Sequence, residues 1–423
     1  MRNKIKDMNG FNLLIRGTLF LSLFFVVCPP AWAVEMNWPT PCYQDKKLDE
    51  VSAWEKNWVG KNIDSSNVDE VKDFLPETLY DRIKNPDKWG AVSFTIIPYQ
   101  EIKPTDGLIN ATKKHWGKPR VDDNEILHDW INGIPFPIPK TGTEVAWNFD
   151  CITHGDTELI TNRAWLINGK RKSERFLGRV KLWRMYFSGR TDVEPIPEFP
   201  KNPKGYRRGL IFYFVDPRDM RGVRNLSVRY KDTNKEDSSW AFVPALRRVR
   251  RMSTAQRGDS VGGGDNTWDD TWGWDGHIKR NEYRLIKTQE VLMGRHSDKK
   301  LPPTKGNIDY SGIQRERINC YVVEFISKDP GYVYSKRICW IDPETWRMPF
   351  EDQYDQQGRL WKTTEFTAAP VQAKGGMVTT VFSSNTVDLQ RVHSTPAIGY
   401  PQFIGDEIPQ GYFTADYLVR LGH

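Results

Sequence analysis

The sequence predicts a mainly β (α+β) protein whose strands form a long antiparallel meander. Aromatic residues are abundant in the 423-residue chain, with 17 Trp, 16 Tyr and 20 Phe, and these side chains favour pleated sheets and large apolar cores. Strand-like segments recur from residue 141 onwards with turn sequences between them. In that region only residues 414–421 have the pattern of a helix.

Several of the predicted strands end at residue pairs that are typical of turns. Asn168-Gly169 and Ser188-Gly189 follow two strands, and Asp216-Pro217 follows a third. The segment 395–410 is rich in Pro and Gly, so we expect a loop that crosses the sheet. Strands are predicted at 164–167, 181–187, 209–215, 226–230, 240–243, 282–292, 318–326, 332–341, 359–367 and 378–382.

The chain before residue 141 has a different pattern. Short helical patterns span 68–74 and 77–83, and 92–98 has the pattern of a strand. Three prolines within 134–139 remove three backbone donors, which predicts an extended connector. We therefore expect a mixed helical and loop-rich extension at 34–140, followed by a sheet domain with a C-terminal helix at 141–423.

Residues 1–33 have the features of a cleavable signal peptide. Basic residues precede an apolar run at 18–27, and Ala31-Trp32-Ala33 matches an A-x-A cleavage site. Cleavage after Ala33 predicts that the mature chain works outside the cytoplasm. A membrane anchor is the alternative, although a bilayer core requires roughly 20 apolar residues.

Four cysteines remain after such a cleavage, and an oxidising compartment favours disulfides. The turn sequence Lys328-Asp329-Pro330-Gly331 predicts a hairpin centred on Asp329-Pro330, which places Cys320 directly opposite Cys339. We therefore predict the disulfides Cys320–Cys339 and Cys42–Cys151. Metal binding is the rival interpretation, but no C-x2-C pair is present.

The formal net charge of +7 is spread along the chain, and one cluster, Arg247-Arg248-Val249-Arg250-Arg251, is densely basic. Because alternate residues of a strand face opposite ways, both faces of this strand carry arginine. At least one face must then meet solvent, carboxylates or a polar ligand head. An anionic membrane surface or an acidic partner fits an exported protein better than nucleic acid does, and peripheral membrane contact follows from that.

The segment 262–276 combines tryptophans with carboxylates. We interpret it as a polar loop whose tryptophans lie at the rim of the sheet, and we expect Asp269 and Asp270 to pair with Arg248 or Arg250. Calcium binding is the alternative, although the segment lacks the ligand order of an EF-hand. The residues concerned are Asp265, Trp268, Asp269, Asp270, Trp272, Trp274 and Asp275.

No catalytic signature is present in the sequence. The seven histidines lack metal-ligand spacing, and the nucleophile elbow, the P-loop and the dinucleotide fingerprint are all missing. We therefore predict no catalytic residue, no cofactor and no metal. His154, beside Asp150 and Asp156, is interpreted as a polar turn residue, with an acid/base site as the alternative.

Taken together, several segments resemble domain-of-unknown-function family 1329. They are Gly133 to Asn148, Trp240 to Arg251, Trp268-Asp269-Asp270, Ile341 to Trp346, Asp352 to Asp355 and Leu360-Trp361. The resemblance implies a periplasmic or outer-membrane-associated protein with a fold similar to the lipoprotein carriers LolA and LolB. That fold is a large, strongly curved antiparallel sheet, an unclosed barrel with helices covering its concave face. Members often occur beside RND-type exporters and a companion outer-membrane protein, and the resemblance carries over no catalytic residue.

The leading functional hypothesis is a periplasmic carrier or adaptor that shields a lipid or another hydrophobic small molecule between sheet and helices. We expect an apolar cavity on the order of several hundred Å³. The second hypothesis is an assembly factor that binds an exporter or an outer-membrane protein through the basic strand and the neighbouring loop. The third is a hydrolase acting on a hydrophobic substrate.

Overall fold

One open sheet organises the fold. The computed structural model describes residues 38–297, 307–406 and 408–421, and the predicted signal peptide lies outside the described residues. Fifteen strands join the sheet in the order β1-β2-β12-β13-β14-β15-β16-β17-β5-β6-β7-β8-β9-β10, and β11 also pairs with β12. All pairs are antiparallel except β2 with β12. Because no pairing between β10 and the opposite edge closes the described strands, the predicted unclosed β architecture is confirmed.

The long strands lie where β-branched and aromatic residues alternate with polar ones. The sheet strands are β1 Asn62–Ile63, β2 Phe94–Ile96, β5 Thr157–Asn168, β6 Ser173–Tyr186, β7 Tyr206–Asp216, β8 Arg224–Tyr230, β9 Ser238–Val243, β10 Arg248–Met252, β11 Asn281–Met293, β12 Ile313–Ser327, β13 Lys336–Ile341, β14 Phe350–Tyr354, β15 Leu360–Ala373, β16 Gly376–Asp388 and β17 His393–Ile404. A separate two-stranded ribbon pairs β3 Arg120–Val121 with β4 Leu127–His128.

The segment predicted to be a crossing loop contains a central strand. β17 pairs with β16 on one side and with β5 on the other. Two prolines lie within it, at positions where a strand can lack a donor: Pro396 faces β16 in a stretch that has no partner on β5, and Pro401 lies at a bulge. The composition predicted a loop, and that prediction was wrong.

Helices pack against both faces of the sheet around β12, whereas the sequence predicted helices on one face. On one face, Val323 and Phe325 pack with the helices Asp106–His115 and Gly142–Cys151. On the other, Cys320 and Val322 pack with a 3-10 helix at Val68–Phe74 and with the helix Glu77–Lys84. The helices are α1 Asp45–Trp58, α2 Glu77–Lys84, α3 Pro86–Trp89, α4 Asp106–His115, α5 Gly142–Cys151 and α6 Ala415–Arg420.

The N-terminal part of the chain contributes to the same sheet. The described residues form one compact unit, in which β2 runs parallel to the start of β12 and β1 pairs with β2. The residues before 141 therefore pack on and extend the sheet that the later residues build. Among the described residues, no helix is long and apolar enough to cross a membrane.

The two predicted disulfides are absent, and all four cysteines are free thiols. Cys339 pairs with Val323, so it shares a face with Val323, whereas Cys320, three residues from Val323, faces the other way. The hairpin turn is longer than predicted, and the resulting shift in register by an odd number of residues turns the two sulfurs to opposite faces. Cys42 and Cys151 likewise lie in different hydrophobic clusters.

Candidate functional site

An apolar cavity of about 160 Å³ lies between the sheet and the loop of residues 259–277, which contains the tryptophan-rich and acidic segment 262–276. Alternate residues of β5, β6 and β7 form its wall, because every second side chain of a strand points to the same face. The residues of the loop that line the other side are Val261, Gly262, Asn266, Thr267, Asp270, Thr271 and Trp272. The sheet residues that line the cavity are Ile160, Asn162, Ala164, Leu177, Gly178, Val180, Leu182, Phe212, Phe214, Phe366, Val381, Ser383, Ser384, Thr395, Ala397 and Gly399.

Two of the loop tryptophans lie against the sheet instead of at its rim. Trp268 packs edge-on against Phe212, with ring centroids 5.2 Å apart, and also contacts Phe214. Trp272 lines the cavity, and the guanidinium of Arg184 lies 4.1 Å from its ring centroid. The third tryptophan, Trp274, is buried in a cluster beyond the cavity.

Buried ion pairs anchor the second half of this loop. Asp269 pairs with Arg257, and Asp270 pairs with Arg337 at 2.6 Å. The phenol of Tyr332 donates to Asp269 at 3.0 Å, and Tyr334 donates to Asp270 at 3.1 Å. Asp275 pairs with Arg208 and with Arg257.

The predicted pairing of Asp269 and Asp270 with Arg248 or Arg250 is therefore wrong. Both carboxylates point into the molecule, where arginines from other elements reach them. Because arginine and tyrosine donors occupy their oxygens, these carboxylates do not form an open calcium site. Asp265 lies elsewhere, 2.8 Å from Nδ1 of His393, and its hydrogen bond raises the pKa of that imidazole.

The first half of the loop is held by hydrogen bonds and by contacts of Asp265, without an arginine partner. Its exposed glycines, Gly262 and Gly263, have φ angles of +61° and +76°, a backbone region in which glycine is favoured. Backbone hydrogen bonds run from Val261 to Asn266 and from Gly264 to Val261, and side-chain hydrogen bonds hold residues 264–266. Gly262 lines the cavity, so this glycine turn forms part of its wall.

The basic cluster forms the end strand of the sheet, away from the cavity lining. Arg248, Arg250 and Arg251 are exposed on β10, and Arg247 precedes them in a left-handed turn with a φ of +45°. None of the four forms an ion pair with a carboxylate in the part of the chain that the structure describes. The predicted exposure of at least one face is confirmed, and the four arginines do not line the cavity, whereas residues of the loop do.

His154 lies in a left-handed turn with a φ of +47°, as predicted for a turn residue. Its neighbours in sequence have other partners: Asp150 pairs with Arg207 and Arg229, and Asp156 accepts backbone amides of residues 191–193. Burial holds the pKa of His154 well below its ordinary value. These three residues do not form an acid/base cluster.

One buried arginine near the cavity was not predicted from the sequence as a site residue. Arg347 follows Trp346 in the connection between β13 and β14, and it lines a void of about 20 Å³ that adjoins the cavity at Trp272 and Phe366. Its Nε donates to the carbonyl of Thr379 at 3.1 Å. Burial lowers the pKa of this guanidinium to about 10. No periodicity or spacing in the sequence marks it as different from the other arginines.

The cavity, the loop and the basic edge all lie within a stretch that matches one family model. Residues 62–406 match the family described as "Protein of unknown function (DUF1329)". The chain belongs to this family. The DUF1329 match contains every residue that lines the cavity and ends before α6.

Three other proteins are similar to this chain at low identity. It is 25% identical over 338 residues to an uncharacterised Pseudomonas aeruginosa protein, PA3922, across 72% of this chain and 68% of the relative. A DUF1329 family protein from Desulfovibrio piger aligns with a TM-score of 0.47 and 18% identity over 66% of this chain and 97% of that one. The LolA superfamily protein NE2245 from Nitrosomonas europaea aligns with a TM-score of 0.41 and 14% identity over 66% of this chain and 100% of that one.

Proposed function

We propose that this DUF1329 protein is a carrier that binds a hydrophobic small molecule or lipid in the cavity between the sheet and the loop of residues 259–277. The observation that carries the proposal is the cavity itself, because most of its lining is aliphatic or aromatic and the loop covers one side of it. Burial of an apolar group there gains roughly 25 cal/mol for each Å² removed from water. A few polar residues, among them Asn162 and Ser383, provide hydrogen-bonding groups that could orient a ligand.

The size of the cavity limits what it holds in this conformation. At about 160 Å³ it is smaller than the several hundred Å³ expected, and an engineered cavity of roughly 150 Å³ admits benzene. A short apolar group therefore fits, and a long acyl chain requires the glycine turn at Gly262 and Gly263 to move away from the sheet. We propose this turn as the entrance, since the ion pairs of Asp269 and Asp270 fix the other half of the loop.

The sequence supports a periplasmic location for this carrier. The signal peptide predicted at residues 1–33 supports a location in the periplasm. An apolar ligand must be shielded from water to cross that space. We propose that the carrier serves an envelope transport system, such as an RND-type exporter with its outer-membrane partner.

Uptake of fluorescent fatty acids tests the proposal. The variants Ala164→Phe and Ala397→Phe place a ring in the cavity and should abolish uptake, because both alanines line it. Ala245→Phe is the matched control, since Ala245 is exposed on the turn before β10. Native mass spectrometry of protein purified from envelope extracts provides a second readout. A wild-type protein that is empty and takes up no fatty acid or lipid would refute the carrier function.

The exposed arginines favour a second candidate function, that of an assembly factor with an acidic partner. Arg247, Arg248, Arg250 and Arg251 lie side by side at the end of the sheet and have no carboxylate partner among the described residues. Complementary charge mainly accelerates and orients such an association. Charge reversal at Arg247 and Arg251 should prevent capture of the exporter or outer-membrane partner, whereas reversal at Lys201 and Lys204, two exposed lysines between β6 and β7, should not.

A further inference from the structure

Three charged side chains lie close together behind Trp272, and their charges do not cancel. Arg184 of β6 forms a buried ion pair with Glu158 of β5. Arg347, which is 6% exposed, forms no ion pair with any carboxylate among the described residues. Burial and the nearby positive charge of Arg184 both depress the pKa of Arg347, while Glu158 raises it. These three side chains therefore carry one unbalanced positive charge, whereas Arg295 and Asp342, which line the same void as Arg347, pair with each other.

The contacts of Arg347 leave part of its guanidinium without a protein partner. Nε and Nη2 both donate to the carbonyl oxygen of Thr379. No hydrogen bond from Nη1 to a described residue is present, and the side chain borders a void of about 20 Å³. Trp272, Phe366 and Val381 line both this void and the main cavity, so the guanidinium lies immediately beyond the inner wall of the cavity.

The positive charge of Arg347 favours the binding of an anion. A buried guanidinium without a carboxylate partner is unfavourable, and an anion that reaches it gains a charge-assisted hydrogen bond. Burial and the positive charges of Arg347 and Arg184 hold the pKa of the neighbouring His154 well below its ordinary value.

We propose that Arg347 receives the anionic head of an amphiphilic ligand whose apolar chain lies in the cavity. The ligand class is a single-chain amphiphile with a carboxylate or phosphate head and one apolar tail. This inference rests on the proposed carrier function and narrows it from hydrophobic molecules in general to anionic ones. Trp272 lies between the two voids, so its ring must shift for the head to reach the guanidinium.

Ligands with matched tails and different heads test the assignment. Dodecanoate, dodecyl phosphate and dodecanol are titrated at pH 8 into protein purified after expression of the full chain. The wild type should bind at least one anion at least tenfold more tightly than the alcohol, since a hydrogen bond to a charged group is worth roughly this factor or more. Arg347→Met should lower the affinity for the anions to that for dodecanol, whereas Arg347→Lys should retain part of the preference.

Arg224→Met is the matched control. Arg224 is also buried, donates to the carbonyl of Leu418 at 2.6 Å and has no carboxylate partner among the described residues, but it does not line the cavity. This variant should keep the preference for anions. If the wild type shows no preference, or if Arg347→Met retains it, the role of Arg347 is refuted while the carrier function stands. If neither the anions nor the alcohol bind, the carrier function fails together with this inference.

Discussion

The indole of Trp272 lies 4.1 Å from the guanidinium of Arg184, so a cation–π contact joins the loop to the sheet at the wall of the cavity. Arg184 is fixed in turn by its ion pair with Glu158 on the neighbouring strand. The loop therefore rests on a side chain that two strands hold in place. We therefore expect Trp272 to contribute to the stability of the fold as well as to the wall of the cavity.

Trp272→Ala should destabilise the protein by about 2 kcal/mol, because it removes both ring packing and a cation–π contact. Urea denaturation measures the change in the free energy of unfolding. Trp165→Ala is the control: Trp165 packs against the exposed Phe176 on the other face of the sheet, with centroids 5.6 Å apart. Its loss should cost about 1 kcal/mol or less, and equal costs at the two sites would contradict the structural role of Trp272.

The architecture was predictable because each strand shows the same alternation of apolar and polar residues. Alternating apolar residues predicted most of the sheet, and the final helix was found at Ala415–Arg420, within one residue of its predicted start and end. The strand with Pro396 and Pro401 was missed because its prolines occupy positions without a paired donor, which depends on the neighbouring strands. Local sequence does not contain that information.

The site was only partly predictable for a related reason. The loop with Trp268 and Trp272 stood out by composition, and it does line the cavity. The partners of Asp269 and Asp270 lie on segments far along the chain, Arg337 being one of them. The choice among 61 Lys and Arg residues is made by tertiary packing, so neither these pairs nor Arg347 could be inferred from spacing.

Asp270→Ala should destabilise the protein by about 3 kcal/mol or more, because it leaves Arg337 buried with one fewer counter-ion. Arg337 retains Glu351 at 2.8 Å, which limits the loss. Chemical denaturation measures the difference, with Asp232→Ala, at an exposed turn carboxylate, as the control. A loss at Asp270 no larger than at Asp232 would show that this ion pair does not anchor the loop.

Asp192→Asn should change how stability depends on pH. Burial and the nearby Asp156 raise the pKa of Asp192 from 3.8 to about 6. Between these values the folded state binds more protons than the unfolded state, so this group stabilises the protein at low pH and the contribution is lost as pH rises towards 6. Above pH 6 the variant should therefore be more stable than the wild type, by up to about 3 kcal/mol.

The comparison requires denaturation curves at pH 4 and pH 7. The amide side chain of this variant would keep an oxygen that accepts from the hydroxyl of Thr105, as the carboxylate of Asp192 does. Asp219→Asn, at an exposed position between β7 and β8, is the control and should leave the pH dependence unchanged. A variant that is less stable than the wild type at pH 7 would contradict the raised pKa.

Reducing agents should leave the melting temperature unchanged, because none of the four cysteines at 42, 151, 320 and 339 is bonded to another. Removal of a native disulfide typically costs roughly 2 to 5 kcal/mol, so its loss would be visible as a shift of several degrees. The thiols of Cys320 and Cys339 are fully buried, and burial raises the pKa of both. A thiolate-specific reagent should therefore label neither residue in the folded protein.

Mass spectrometry after labelling provides the decisive measurement. In denaturant without reductant, each of the four cysteines should take up one maleimide, since no sulfur is protected by a bond. Cys339→Ala should cost about 1 kcal/mol from lost packing against Val323, and the same cost should appear with and without reductant. If Cys320 and Cys339 themselves gain labels only after reduction and are recovered as one cross-linked peptide pair, the two sulfurs can meet, which requires the register of β12 and β13 to shift by an odd number of residues.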